Sequence, residues 1–116
     1  IYNKDNLKRG NIVVFYSKEL DERLVKRLIG IPGDEIEIKN GVVFINGAQL
    51  NEDYVKNNKA YSGKFKVPEG KYFFLGDNRA GSFDAREWEN PYIDSSDIEG
   101  KVVFRFYPFN DMGFIQ

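Results

Sequence analysis

Short apolar runs at period two, broken at brief intervals by Gly, Asn and Pro, dominate this chain. Residues 10–17, GNIVVFYS, predict a first strand, and the charged residues 18–23 a turn or loop. A second strand is predicted over about 24–30, stopped by the Pro and Gly of Ile31-Pro32-Gly33-Asp34. Glu35-Ile36-Glu37-Ile38 alternates as a half-buried strand does. Asn40-Gly41, a two-residue hairpin signal, follows at once; Val42 to Ile45 returns, and Asn46-Gly47 turns again. A tight β-meander is expected there. Residues 49–64 are polar and weakly patterned and predict a long loop. Val67-Pro68-Glu69-Gly70 predicts a turn, 71–75 a strand, and 101–107 a last strand stopped by Pro108. Residues 80–100 read as irregular, with Asp94-Ser95-Ser96-Asp97 set to cap a helical turn. The expected fold class is mainly β.

One strand breaks the pattern. In LVKRLIG two cations, Lys26 and Arg27, interrupt an apolar run. Strand alternation puts Leu24, Lys26 and Leu28 on one face and Val25, Arg27 and Ile29 on the other. If the Lys26 face is covered, its ammonium is desolvated and its pKa falls. A lysine base working near neutral pH needs a drop of roughly three units, about 4 kcal/mol of differential destabilisation of the charged form. Pattern alone favours the plainer reading, a lysine that snorkels to solvent.

Composition removes many alternatives. One domain is expected for 116 residues. Lys plus Arg is 17 and Asp plus Glu is 18, which gives no electrostatic case for nucleic acid. The ten Phe and seven Tyr read as sheet and core material. There is no Cys and no His, so a disulfide frame, a thiolate metal site, a Cys nucleophile and a Ser-His-Asp triad are all excluded. A general base must be a carboxylate, a Lys, a Tyr or a metal-bound water. No apolar run approaches the ~20 residues of a membrane span. Because the chain opens on Ile1, a piece of a longer protein is expected.

A second polar cluster ends the strand at 71–75: Gly76-Asp77-Asn78-Arg79-Ala80-Gly81-Ser82-Phe83-Asp84-Ala85-Arg86. A calcium loop needs oxygens at its first, third and fifth positions, where this stretch has Asp77, Arg79 and Gly81. No metal or cofactor is therefore expected. The residues fit either a structural loop held by ion pairs or a polar shell that orients a catalytic group.

Two stretches carry a resemblance. Lys26-Arg27-Leu28-Ile29-Gly30-Ile31-Pro32-Gly33-Asp34 resembles the lysine box of type I signal peptidases. Gly76-Asp77-Asn78-Arg79-x-x-Ser82-x-Asp84-x-Arg86 resembles that family's last box. Arg9 to Phe15 looks like its strand box, with Asn11 where Asp is usual, and Tyr107-Pro108-Phe109 resembles its closing strand. The likeness spans nearly the whole chain, in order and spacing. It implies a partly open barrel of antiparallel sheets, similar to the LexA-like fold. It also implies one extracytoplasmic domain over 1–116, with 48–66 as a variable loop or small cap. The implied activity is removal of signal peptides from exported preproteins at small-x-small sites by a Ser-Lys dyad, on the outer face of the cell membrane. Lys26 is then the general base and Ser82 the serine that orients it. Asp84 and Arg86 form a supporting ion pair, while Asp77, Asn78 and Arg79 shape the same loop. Leu24 and Val25 lie beside a substrate that adds as a β-strand.

There are departures. The family's Ser-Met-x-Pro nucleophile box does not occur among Ser17, Ser62, Ser82, Ser95 and Ser96. In the family that box and a membrane anchor lie upstream of the strand box, so both are expected ahead of Ile1, and this chain alone is expected to be inactive. Ala85 stands where Ser is usual, and the short 49–64 segment resembles Gram-positive members. The competing expectation is an inactive accessory relative that binds pilin or another exported partner. A self-cleaving repressor of the LexA type fits less well, because the second box is present and no DNA-binding segment is.

Overall fold

The computed structural model describes residues 2–3 and 6–103. Ten strands form among the described residues: β1 (Tyr2–Asn3), β2 (Ile12–Ser17), β3 (Glu22–Gly30), β4 (Glu35–Lys39), β5 (Val42–Ile45), β6 (Ala48–Gln49), β7 (Gly63–Lys66), β8 (Lys71–Leu75), β9 (Tyr92–Asp94) and β10 (Ile98–Val102). They build two antiparallel sheets, a six-stranded one in the order β1-β10-β2-β3-β8-β9 and a four-stranded one in the order β6-β5-β4-β7. The fold is mainly β, as expected, and neither sheet closes into a barrel.

Both Asn-Gly pairs make the predicted hairpins. Asn40 and Gly41 have φ of 49° and 86°, and Asn46 and Gly47 have 51° and 87°. Positive φ at both central residues suits a primed turn, whose twist matches that of the flanking strands. The first joins β4 to β5 with Lys39 opposite Val42, and the second joins β5 to β6 with Ile45 opposite Ala48. The turn at 31–34 is held by Asp34, whose carboxylate accepts from the Ile31 N–H (2.9 Å), Arg9 Nη2 (2.7 Å) and Asn46 Nδ2 (3.1 Å). Burial pushes this carboxyl up, but the three donors outweigh burial and hold it below its ordinary value.

The sheets enclose one apolar core. Phe15 and Phe74 stack at 4.3 Å between centroids, Trp88 meets Phe15 edge-on at 6.1 Å, and Phe65 lies 4.7 Å from Phe73. Gly30, on β3, packs directly against Ile36 of the small sheet. A Cβ there would stand 2.4 Å from Ile36 Cδ1, 3.0 Å from Val67 Cγ2 and 3.1 Å from Phe73 Cβ. Gly30→Ala is therefore expected to cost about 1–3 kcal/mol through overpacking. Urea titration will read this as a lower midpoint at unchanged slope.

The structure corrects several expectations. Two short strands, β7 and β9, arise within stretches read as loop and irregular chain. A 3-10 turn does form at Ser95–Asp97, but Asp94 makes no side-chain cap; its carboxylate pairs with Lys71 across the β8–β9 ladder instead. The last strand runs from Ile98 to Val102, and the remainder of the predicted 101–107 strand, with Tyr107-Pro108-Phe109, lies outside the described residues.

Candidate active site

β3 is a central strand with β2 on one side and β8 on the other. Val13 pairs with Lys26, Phe15 with Leu24, and Phe74 with Leu28, so these residues share one face of the sheet. Lys26 thus projects from an apolar face, as the alternation required. It does not snorkel: only 6% of it is exposed. The cover comes from the 76–86 loop, and Lys26 Nζ donates to Ser82 Oγ at 3.0 Å. Burial pushes the Lys26 ammonium down from its ordinary 10.5; Asp84 opposes the fall, Arg86 adds to it, and Glu22 and Glu87 oppose it. An amine whose charged form is disfavoured by burial, held against a hydroxyl, can serve as a general base.

Behind Ser82 stands a buried ion pair. Arg86 Nε and Nη2 donate to the two Asp84 carboxylate oxygens at 2.7 and 2.8 Å. Asp84 also accepts from the Gly76 N–H at 2.9 Å, which ties the start of the loop to its end. Arg86 Nη2 reaches the Arg79 carbonyl at 2.8 Å. Asp84 is 0% exposed, so this carboxylate depends on these donors for the solvation it has lost. Ala85 is buried in the core cluster, a place that suits a methyl group.

Asp77 also forms an ion pair. Its carboxylate is held on the opposite face of the sheet by Arg27, Nε at 2.9 Å and Nη2 at 2.7 Å. The Arg27 guanidinium also stacks over the Tyr54 ring at 4.0 Å and donates to the Gly10 carbonyl at 2.9 Å. Arg79 pairs with Glu52, Nη1 at 3.3 Å and Nη2 at 2.5 Å, and the Tyr54 hydroxyl donates to the same carboxylate at 3.0 Å. Burial raises the Tyr54 phenol above its ordinary 10.0, and the Glu52 charge raises it further. Asn78 accepts from Asn57 Nδ2 at 3.0 Å.

Sequence reasoning missed Arg27 as a site residue, and it missed Glu52 and Tyr54. A signal existed for Arg27: the argument that asks what a cation does in an apolar strand applies equally to the neighbour on the other face. For Glu52 and Tyr54 there was none, since they lie in a stretch without period. That stretch is pinned by backbone bonds to the second box, Lys56 N to the Asp77 carbonyl, Arg79 N to that of Lys56 and Ala80 N to that of Asn57.

Leu24 and Val25 are half-buried on β3. Pairing of β8 with β3 begins at Leu75 opposite Arg27, so residues 22–26 have no strand neighbour on the β8 side among the described residues. A groove of about 510 Å³ opens elsewhere, on the small sheet around Phe44, Phe65 and Tyr92, and none of its lining residues belongs to this site.

The family model for signal peptidases, peptidase S26, matches residues 1–107. Signal peptidase I P of Bacillus subtilis subsp. natto is 42% identical over 118 residues, covering 92% of this chain and 63% of that protein. Signal peptidase IB of Staphylococcus aureus is 39% identical over 129 residues, covering 95% of this chain and 66% of that protein. The chain therefore spans a little under two thirds of the length of these relatives. A crystal structure of a signal peptidase I from Enterococcus faecalis matches with a TM-score of 0.71 at 34% identity, over 85% of this chain and 98% of that one. With the family model matched along nearly its whole length, the chain belongs to the signal peptidase family, peptidase S26.

Proposed function

We propose that this chain is the extracytoplasmic domain of a Ser-Lys endopeptidase that removes signal peptides from exported preproteins after small-x-small sequences. One observation carries the reading: Lys26 Nζ is buried and lies 3.0 Å from Ser82 Oγ. In the proposed reaction the neutral Lys26 takes the proton from the nucleophilic serine as its oxygen bonds to the scissile carbonyl carbon. Lys26 then returns that proton to the leaving amine, and an acyl-enzyme remains for water to hydrolyse. The serine is expected from the family's Ser-Met-x-Pro segment in the intact protein. Ser17 does not suit that role, since its buried hydroxyl accepts from the Leu20 N–H at 3.1 Å. The strand edge at Leu24 and Val25, where β8 has not yet begun to pair, supports binding of the substrate by strand addition. Among the described residues no helix is long and apolar enough to cross a membrane, so attachment is assigned to a segment of the intact protein outside them. Retention of both Lys26 and Ser82 disfavours a purely binding accessory role.

The pH dependence of kcat/KM tests the reading. Only neutral Lys26 can accept the serine proton, and burial holds its pKa below 10.5. Activity will fall on the acid side, as pH drops through that lowered value, and will be full above it. With a peptide bearing Ala-x-Ala before the cut, the intact protein is expected to show an acid limb below 10.5. A limb at the free-lysine value would overturn the assignment.

A further inference from the structure

We propose that Glu52 is a positioning residue for the Lys26–Ser82 pair and acts through Arg79; the inference rests on reading Lys26 as the base. Arg79 is a cation only 2% exposed, within the loop that carries Ser82. A buried guanidinium requires a carboxylate close by, because removing one partner of such a pair strands the other charge. The second box supplies none to Arg79: Asp84 is taken by Arg86 and Asp77 by Arg27. Glu52, from the polar segment 27 residues upstream, provides it with both carboxylate oxygens.

Fixing Arg79 fixes Ser82 by short connections. Arg79 Nε donates to the Gly76 carbonyl at 2.8 Å, and the Arg79 carbonyl accepts from Arg86, which grips Asp84. Ser82 lies on the stretch between Arg79 and Asp84 and is held from both ends. Tyr54 extends the brace to β3: its hydroxyl is on Glu52 and its ring lies under Arg27, the neighbour of Lys26. Without the Glu52 charge, Arg79 will turn toward solvent, the loop will shift, and Ser82 will lose its register on Lys26 Nζ. Displacements on that scale cost rate and leave substrate binding largely intact.

The test is a double-mutant cycle in the intact protein, with kcat, KM and the pH profile measured on an Ala-x-Ala peptide. Glu52→Ala is expected to lower kcat about tenfold with KM within about twofold, and to move the acid limb up toward 10.5 as cover over Lys26 loosens. In a Ser82→Ala background the same substitution is expected to cost less than about twofold, because the contact it maintains is already gone. Equal losses in both backgrounds, or a loss confined to KM or to the folded fraction, overturn the proposal. If Glu52→Ala does not fold, Glu52→Gln, which keeps the shape and one acceptor oxygen, runs the same cycle. Full activity of Lys26→Met would sink the base assignment by itself; the cycle would still report whether Glu52 and Ser82 are coupled.

Discussion

Replacing Lys26 by methionine is expected to abolish cleavage by the intact protein and to leave the fold at least as stable. The loss in kcat/KM should be a thousandfold or more, toward the upper end of the roughly 10²–10⁴ that a positioned base contributes. No substitute is at hand, because the chain has no His and, among the described residues, no other amine is buried at this site. The stability argument has the opposite sign. The folded pKa of Lys26 lies below 10.5, so the fold disfavours the ammonium. Below that folded pKa both folded and unfolded states are protonated, and the full desolvation penalty is present. As pH rises from the folded pKa to 10.5 the unfolded chain binds more protons than the folded one, and wild-type stability climbs. Methionine fills nearly the same volume without the penalty. Thermal unfolding at neutral pH is therefore expected to give an unchanged or higher Tm for the variant, with the difference closing as pH approaches 10.5. A variant retaining activity within about tenfold would place the base elsewhere, and one that is inactive because it is unfolded would make Lys26 a structural residue.

How far the sequence leads depends on whether the deciding interaction is local. The hairpins at Asn40-Gly41 and Asn46-Gly47 were legible because backbone φ at two adjacent residues determines them. The faces of β3 were legible because strand alternation is strict. β7 and β9 were not, because Gly63–Lys66 and Tyr92–Asp94 are short, half-polar segments that become strands only by pairing with β4 and β8. Coverage of Lys26 was not legible from period either, since the loop that covers it arrives 56 residues later. The family resemblance supplied that link. The loop sends Asp77 to Arg27 and Asp84 to Arg86, on opposite sides of β3. Of the two odd cations in β3, Arg27 takes an acid and Lys26 a hydroxyl, a division that alternation alone does not reveal.

The largest stability effect is expected at Asp84. Asp84→Asn keeps the shape but strands the Arg86 guanidinium, 3% exposed in its side chain, without a counter-charge. It also turns an amide toward the donors that now converge on the carboxylate, the Gly76 N–H, the Arg86 N–H and two guanidinium nitrogens. Breaking a buried pair from one side costs about 3–5 kcal/mol, a large part of the stability of a domain this size. Urea denaturation should show that loss directly. Adding Arg86→Met should recover part of it, because the stranded charge goes while the asparagine oxygen can still accept from Gly76. A loss below about 1 kcal/mol would mean that solvent reaches the pair and that the loop is held by other contacts. The activity of the folded fraction carries separate information. The Asp84 charge opposes the fall of the Lys26 pKa, so its removal lets that pKa drop further. The acid limb of the pH profile is then expected to move to lower pH in Asp84→Asn, whereas loosened cover over Lys26 would move it up. Stability and limb position thus distinguish an ion pair that holds the Ser82 loop in place from one that also sets the protonation of the base.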